Sequence, residues 1–256
     1  MSNLRHLAKL VPAVWRKRIL ETIKREYGLG WPQALTSHPE AELNLLEVVL
    51  AHYCQRKPRI RFLQVGAADG MMGDPLFPLI ERYAMEGVLL EPRAETFARL
   101  KKNYAPYAGK GFVFVNAAIM RRDGTQNLYS IKPGAGAADW LTGTASFDRE
   151  IVLQGLRSVA HAESWIAVEP VKTITFETLF RTYNIGDIDL LQVDAEGFDA
   201  QIIEMFDVGK RRPAIVRFEH MHLKPQEIEA TLEMLIRHGY TIGRSAYDTI
   251  AYQVKN

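Results

Sequence analysis

Apolar residues recur at helical spacing over residues 4–26, where Leu4, Leu7, Val11, Val14, Ile19 and Ile23 share one face. Pro12 is expected to kink that helix, and Gly28, Gly30 and Pro32 end it. A second helix is predicted over 39–55, with Leu43, Leu46, Val49 and Leu50 inward and Pro58 as its stop. From residue 60 the rhythm changes. Short apolar runs at 60–65, 87–90, 111–117, 168–174, 188–193 and 214–218 read as strands. Between them, 94–103, 175–183, 198–206 and 225–238 carry helical periodicity, and another helix is expected to start near Pro75. Residues 125–131 read as a β-extension of the third strand. Residues 132–166 read as irregular, with a short helix within 148–160. Two last strands at 240–243 and 248–253 are close enough in sequence to pair antiparallel.

Strands alternating with helices of this length imply a largely parallel sheet covered on both faces, and strands buried on both sides lose their polar alternation. The expected division is an N-terminal helical extension, 1–59, followed by one α/β domain, 60–256. The 256-residue chain is 47% hydrophobic, enough for a sizeable core.

Charge and cysteine content narrow the partners. A net charge of +2 without a Lys/Arg stripe interleaved with aromatics gives no footprint for nucleic acid. The lone Cys54 makes no internal disulfide, so a reducing cytoplasmic setting is expected. No apolar run reaches membrane-spanning length. The N-terminal apolar residues are broken by Arg5, His6 and Lys9, unlike a secretory leader. The Arg- and Lys-rich first helix can pack on the domain, contact a partner, or lie on a membrane surface.

In an open α/β sheet, ligands sit beyond the carboxyl ends of the strands. The candidate chemistry falls there. The first strand runs into Val65-Gly66-Ala67-Ala68-Asp69-Gly70, a turn that lets a ligand approach the backbone. It matches neither the dinucleotide G-x-G-x-x-G pattern nor the phosphate-loop pattern. Asp69 and Asp74 would repel a pyrophosphate and suit a cationic cofactor such as S-adenosylmethionine. Either aspartate also has a helix-capping alternative. Glu91, at the end of the second strand, can accept both hydroxyl protons of a ribose. Pro92 follows it. Asn116 and Ala117, at the end of the third strand, leave room for an adenine. Asp194 and Glu196 follow the fourth main strand, and Glu219 and His220 follow the fifth.

On these residues the chain resembles the FkbM family of methyltransferases over roughly 60–253. The carriers are the glycine loop, Leu90-Glu91-Pro92, Asn116-Ala117-Ala118, and above all Gln192-Val193-Asp194-Ala195-Glu196-Gly197-Phe198-Asp199, similar to the family's D-x-E-G-x-[DE] segment. Phe218-Glu219-His220 resembles its fifth-strand acid. Asp69 stands where an Asn is common in the family. Thr175-Phe176-Glu177-Thr178-Leu179 replaces the usual Thr-Leu-Asp pattern.

The resemblance implies a Rossmann-like class I methyltransferase fold with a largely parallel seven-stranded sheet. It also implies transfer of a methyl group from S-adenosylmethionine to a hydroxyl of a sugar, glycan or secondary metabolite. Cofactor binding is then expected from Gly66, Ala67, Asp69, Gly70, Glu91, Pro92, Asn116, Ala117 and Asp194. Catalysis is expected from Asp194, Glu196, Glu219 and His220. Alternatively, Asp194, Glu219 and His220 hold a divalent cation such as Mg2+ that polarises the acceptor oxygen, as metal-dependent catechol-type methyltransferases do at comparable strand ends. The small-residue loop 134–147, flanked by Trp140 and Trp165, can close over the acceptor. Two other readings stay open. An NAD-dependent oxidoreductase has Asp69 and the missing G-x-G-x-x-G against it. A non-catalytic adenosyl-ligand-binding module has no use for the acid cluster.

Overall fold

The computed structural model describes residues 44–132 and 144–253, apart from 158, 160 and 246. The helix predicted over 4–26 lies outside the described residues, and of the one predicted over 39–55 the part from 44 onward is described, helical from Leu45. Helix α1, Leu45–Cys54, buries Leu46 and Leu50. The chain then enters β1, Ile60–Val65, and returns in β2, Met85–Leu90. Helix α2, Ala94–Asn103, leads to β3, Val113–Val115. Next come the short β4, Ala118–Ile119, then β5, Gly124–Ile131, and β6, Ala145–Ser146. Helix α3, Arg149–Gly155, precedes β7, Ile166–Ile174, and α4, Phe176–Thr182. The second half runs β8, Leu190–Val193; α5, Asp199–Phe206; α6, Val208–Arg211; β9, Ile215–Glu219; α7, Pro225–Arg237; β10, Thr241–Arg244; and β11, Asp248–Tyr252.

The main sheet has seven strands in the order β10-β11-β9-β8-β1-β2-β3. Strands β3, β2, β1, β8 and β9 are parallel neighbours, and β11 runs antiparallel to both β9 and β10. All four residues of β8 are buried, as expected for a central strand with helices on both faces. On one face Leu63, Val65, Leu191, Val193, Val216 and Phe218 pack with Ile202, Ile203 and Phe206 of α5, Leu179 of α4 and Leu235 of α7. On the other, Ile60, Phe62, Leu89, Leu190 and Ile215 pack with Leu46, Leu50, Leu79, Leu100 and Tyr104. Each fully buried aliphatic or aromatic side chain contributes roughly 1.5–3 kcal/mol. The double-sided core therefore holds the strand ends rigidly. Strand order reverses between β1 and β8, which sets the ligand crevice at their carboxyl ends.

Two predicted elements differ. The helix expected near Pro75 is a single 3-10 turn, Phe77–Leu79. Ala84, in a left-handed conformation (φ 45°), and the Met85 N–H bond to the Ile80 carbonyl at 2.9 Å turn the chain into β2 before a helix can extend. Residues 125–131 do not extend the third strand. They lie within β5, in a separate four-stranded sheet of order β4-β7-β5-β6. Strand β5 pairs antiparallel with β7 from Gly124↔Thr173 to Ile131↔Ile166. Its first four residues are exposed, a pattern incompatible with a sheet covered on both faces. Among the described residues, no helix is long and apolar enough to cross a membrane.

Candidate active site

The turn after β1 is built around a close backbone approach. Gly66 has φ 79°, and a Cβ there would run into the carbonyl oxygen of Asp194. A residue with a side chain would force β1 and β8 apart at the crevice. The Gly66 and Ala67 N–H groups donate to the Leu90 carbonyl at 3.1 and 2.9 Å, tying the turn to β2. Ala68 N–H donates to Glu91 Oε2 at 3.1 Å, and Arg93 N–H to Glu91 Oε1 at 2.9 Å. Glu91 is buried, and burial pushes its carboxyl up to about 7 against the lowering effect of those two N–H groups. Each carboxylate oxygen keeps a lone pair for a further donor.

Several predicted cofactor residues stand behind the wall rather than in it. Asp69 Oδ1 accepts from the Met71 and Met72 N–H groups, and the Asp69 carbonyl accepts from the Asn103 amide at 2.8 Å. Asp69 thus shapes the loop. Gly70, with φ 71°, rests on Leu100 and Tyr104. Asn116 donates to the Glu91 and Pro92 carbonyls at 2.8 and 3.0 Å, bracing the loop after β2. Asp74 is also spent on the scaffold, accepting from Leu76 N–H at 2.7 Å and from the Gln64 amide at 3.0 Å; it shapes the turn before the 3-10 segment, whose N-cap, Leu76, has no side-chain cap bond.

The wall itself encloses a cavity of about 320 Å³. Gly66, Glu91, Pro92, Ala117 and Asp194, all named from sequence, line it. Ala118, Ile119 and Leu128 add an apolar side suited to an adenine, and Leu128 comes from the separate sheet. Ala145 of β6, with Thr144 before that strand and Phe147 after it, also lines the cavity. Phe147 meets Phe198 edge-on, with ring centroids 6.0 Å apart. Of the predicted closing loop, residues 134–143 with Trp140 lie outside the described residues. Trp165 packs against the Ile131–Val152 cluster of its own sheet.

The acids gather where β8 and β9 end side by side. Asp194 and Glu196 line the cavity. Glu196 (φ 48°) and Gly197 (φ 92°) are both left-handed, so the chain doubles back sharply here, and a non-glycine residue is held in a strained conformation. Ser146 Oγ donates to the Glu196 carbonyl at 2.7 Å, fixing the turn from β6. Asp199, fully buried, accepts from Ala195 N–H with one oxygen and from Glu219 N–H with the other, both at 3.3 Å. It clips the two strand ends together. Burial, then the charge of Asp194, pushes its carboxyl up to about 8. Burial also raises Asp194, reinforced by Glu196, and raises Glu219, reinforced by Asp194 and Glu196.

The imidazole in this cluster is not the one named from sequence. His220 Nδ1 lies 3.1 Å from Thr249 Oγ1, on the β11 side, and its ring is buried. His222 Nε2 lies 3.2 Å from Glu196 Oε2 and 3.9 Å from Glu219 Oε2. A turn with Leu223 N–H bonded to the His220 carbonyl folds His222 back over the end of β9. Spacing within Glu219-His220-Met221-His222 cannot fix which ring returns, because the turn decides it. Asp199 was legible as part of the acidic segment, but its role as a clip was not.

The geometry and the sequence lead to one family. The methyltransferase FkbM domain model matches residues 64–242, more than half of the chain. The chain belongs to the FkbM methyltransferase family. Membership makes S-adenosylmethionine its methyl donor and sets the oxidoreductase alternative aside. No curated protein matches the chain. Solved structures similar to this FkbM methyltransferase are distant. The SAH-bound methyltransferase PaMTH1 of Podospora anserina is 13% identical over 96% of this chain and 97% of that one, with a TM-score of 0.43. The precorrin-6y C5,15-methyltransferase of Geobacter metallireducens is 11% identical over 81% of this chain and 85% of that one, with a TM-score of 0.40. A human methyltransferase 10 domain containing protein is 12% identical over 82% and 79%, with a TM-score of 0.43.

Proposed function

We propose that this enzyme transfers the methyl group of S-adenosylmethionine to a hydroxyl of a small molecule, namely a sugar, glycan or secondary metabolite, in the cytoplasm. The supporting observation is that one cavity carries both a ribose-type acid, Glu91, and the carboxylates Asp194 and Glu196. Glu91 receives the ribose hydroxyls, and the Ala117–Ile119 side receives the adenine. The sulfonium then faces the acids after β8, whose negative field favours it. Phe147 and Phe198 cover that end and keep water from the reacting atoms.

Methyl transfer is an in-line displacement, and most of the acceleration comes from holding donor and acceptor in line. A neutral alcohol must also lose its proton. Asp194 is the proton acceptor in this reading: it lies on the cavity wall at the β1–β8 switch point. The acceptor O–H breaks toward Asp194, the O–CH3 bond forms, and the C–S bond breaks with its electron pair left on sulfur. The test is to incubate enzyme and labelled S-adenosylmethionine with sugars, polyols and phenols, and separately with amines and RNA. The label should appear as methyl ethers, and Asp194→Ala should slow the transfer roughly 100-fold or more, the range for losing a general base. Label found on amines or RNA instead would overturn the hydroxyl assignment.

A further inference from the structure

We propose that Glu196, Glu219 and His222 hold one divalent cation of the Mn2+ or Mg2+ class at the mouth of the methyl-transfer cavity, an assignment that rests on the hydroxyl-acceptor reading for its purpose but not for its existence. One donor atom from each residue lies within 4.8 Å of the other two. The His222–Glu196 and His222–Glu219 separations of 3.2 and 3.9 Å match edges of a coordination shell. Donors about 2.1 Å from a common ion stand roughly 3.0–4.2 Å apart. Two carboxylates with one imidazole form a hard-to-borderline donor set, which suits Mn2+ and leaves positions open for water or substrate.

A plain ion pair accounts for less. His222 bonded to Glu196 leaves Glu219 Oε2 buried without a hydrogen-bond partner, and such an atom is costly in an interior. On β9 the Arg217 guanidinium pairs through Nη2 with Asp248 at 2.7 Å, while its buried Nη1 has no hydrogen-bond partner and its charge acts on Asp194. Two of the three donors are also held from behind. Ser146 fixes the Glu196 backbone and Asp199 fixes the Glu219 backbone. At Gly197 an added Cβ would run into the Ile151 side chain, so the turn that carries Glu196 packs closely on α3.

Glu196 belongs both to this triad and to the cavity wall. A cation held here takes the acceptor hydroxyl as a further ligand and lowers its pKa. The proton passes to Asp194, the oxygen attacks the methyl carbon, and the C–S electron pair leaves with the sulfur; the cation itself is unchanged. Its identity as a ligand site is separate from the cofactor's ribose and adenine contacts.

The experiment is a Mn2+ titration of the full chain, followed by electron paramagnetic resonance, with S-adenosylhomocysteine binding measured by calorimetry on the same samples. The expected result is one bound Mn2+ per chain. Glu219→Gln and His222→Gln should each weaken it by roughly 10- to 100-fold or more, since loss of even an outer-shell partner costs that much. Retained S-adenosylhomocysteine binding in both variants would show that they fold. A chain that binds S-adenosylhomocysteine but takes up no Mn2+ would overturn the site, as would Mn2+ affinity unchanged in both variants. A chain that binds Mn2+ through these residues but not S-adenosylhomocysteine would sustain the site and strike the methyl-transfer reading.

Discussion

Gly66 shows how one missing side chain sets the crevice. Its left-handed backbone alone makes a side chain cost roughly 1–3 kcal/mol, and overlap with the Asp194 carbonyl adds to that. Gly66→Ala is therefore expected to lower the urea midpoint and to weaken S-adenosylhomocysteine binding together. An unchanged midpoint would contradict the close approach. Glu91 makes a second residue-scale case. Its carboxyl is pushed up to about 7 by burial, while ribose hydroxyls donate best to the ionised form. Cofactor affinity should rise as pH climbs through 7, by about tenfold between pH 6 and pH 8 for this group. Glu91→Gln should bind more weakly at pH 8 and give a flatter profile by calorimetry. In the cofactor-free protein the sign is opposite. The raised carboxyl contributes stability in full below its unfolded pKa near 4.5, and loses it as pH rises through about 7.

Among the elements, the clip between β8 and β9 carries the site. Asp199 satisfies two backbone donors in a fully buried position. Asp199→Ala leaves both unpaired, a loss of about 1–3 kcal/mol or more. Asp199→Asn keeps one accepting oxygen and should fall between wild type and alanine in a urea melt. Equal stability of all three proteins would show that the clip is idle. The separate sheet is the other element that matters, because Leu128 and Ala145 line the cavity from it and Phe147 does so from the residue just after β6. It was the hardest part to read from sequence. Residues 125–131 carry no apolar run of the kind that marks β1 or β8, and their partner in β7 lies some forty residues on, beyond a stretch with no pattern. The helix expected near Pro75 failed for another reason: left-handed Ala84 and the Met85 N–H bond to the Ile80 carbonyl turn the chain into β2 after a single 3-10 turn, which periodicity does not register.

For the whole molecule, the main sheet was legible because a strand buried on both faces must be apolar throughout. Gly66, Glu91, Asp194 and Glu219 punctuate the ends of such strands. Strand ends carry ligands at the switch point, so Gly66, Glu91, Pro92, Ala117 and Asp194 could be named in advance and do meet on one cavity. Side-chain direction after a strand end was not legible. Whether His220 or His222 faces Glu219 depends on a turn closed by a single backbone hydrogen bond. Asp69 and Asn116 present the same difficulty: their polar groups are spent on the backbone, a choice made by local turns that residue type alone leaves open.

The central claim is that this cavity holds the methyl donor with Glu91 at its ribose. Calorimetric titration with S-adenosylhomocysteine at pH 8 tests it most directly, comparing the unaltered chain with Glu91→Gln. Micromolar binding at one site per chain is expected, with at least a tenfold loss, about 1.4 kcal/mol, in the variant. No binding by the unaltered chain, or equal affinity in the two, would contradict it.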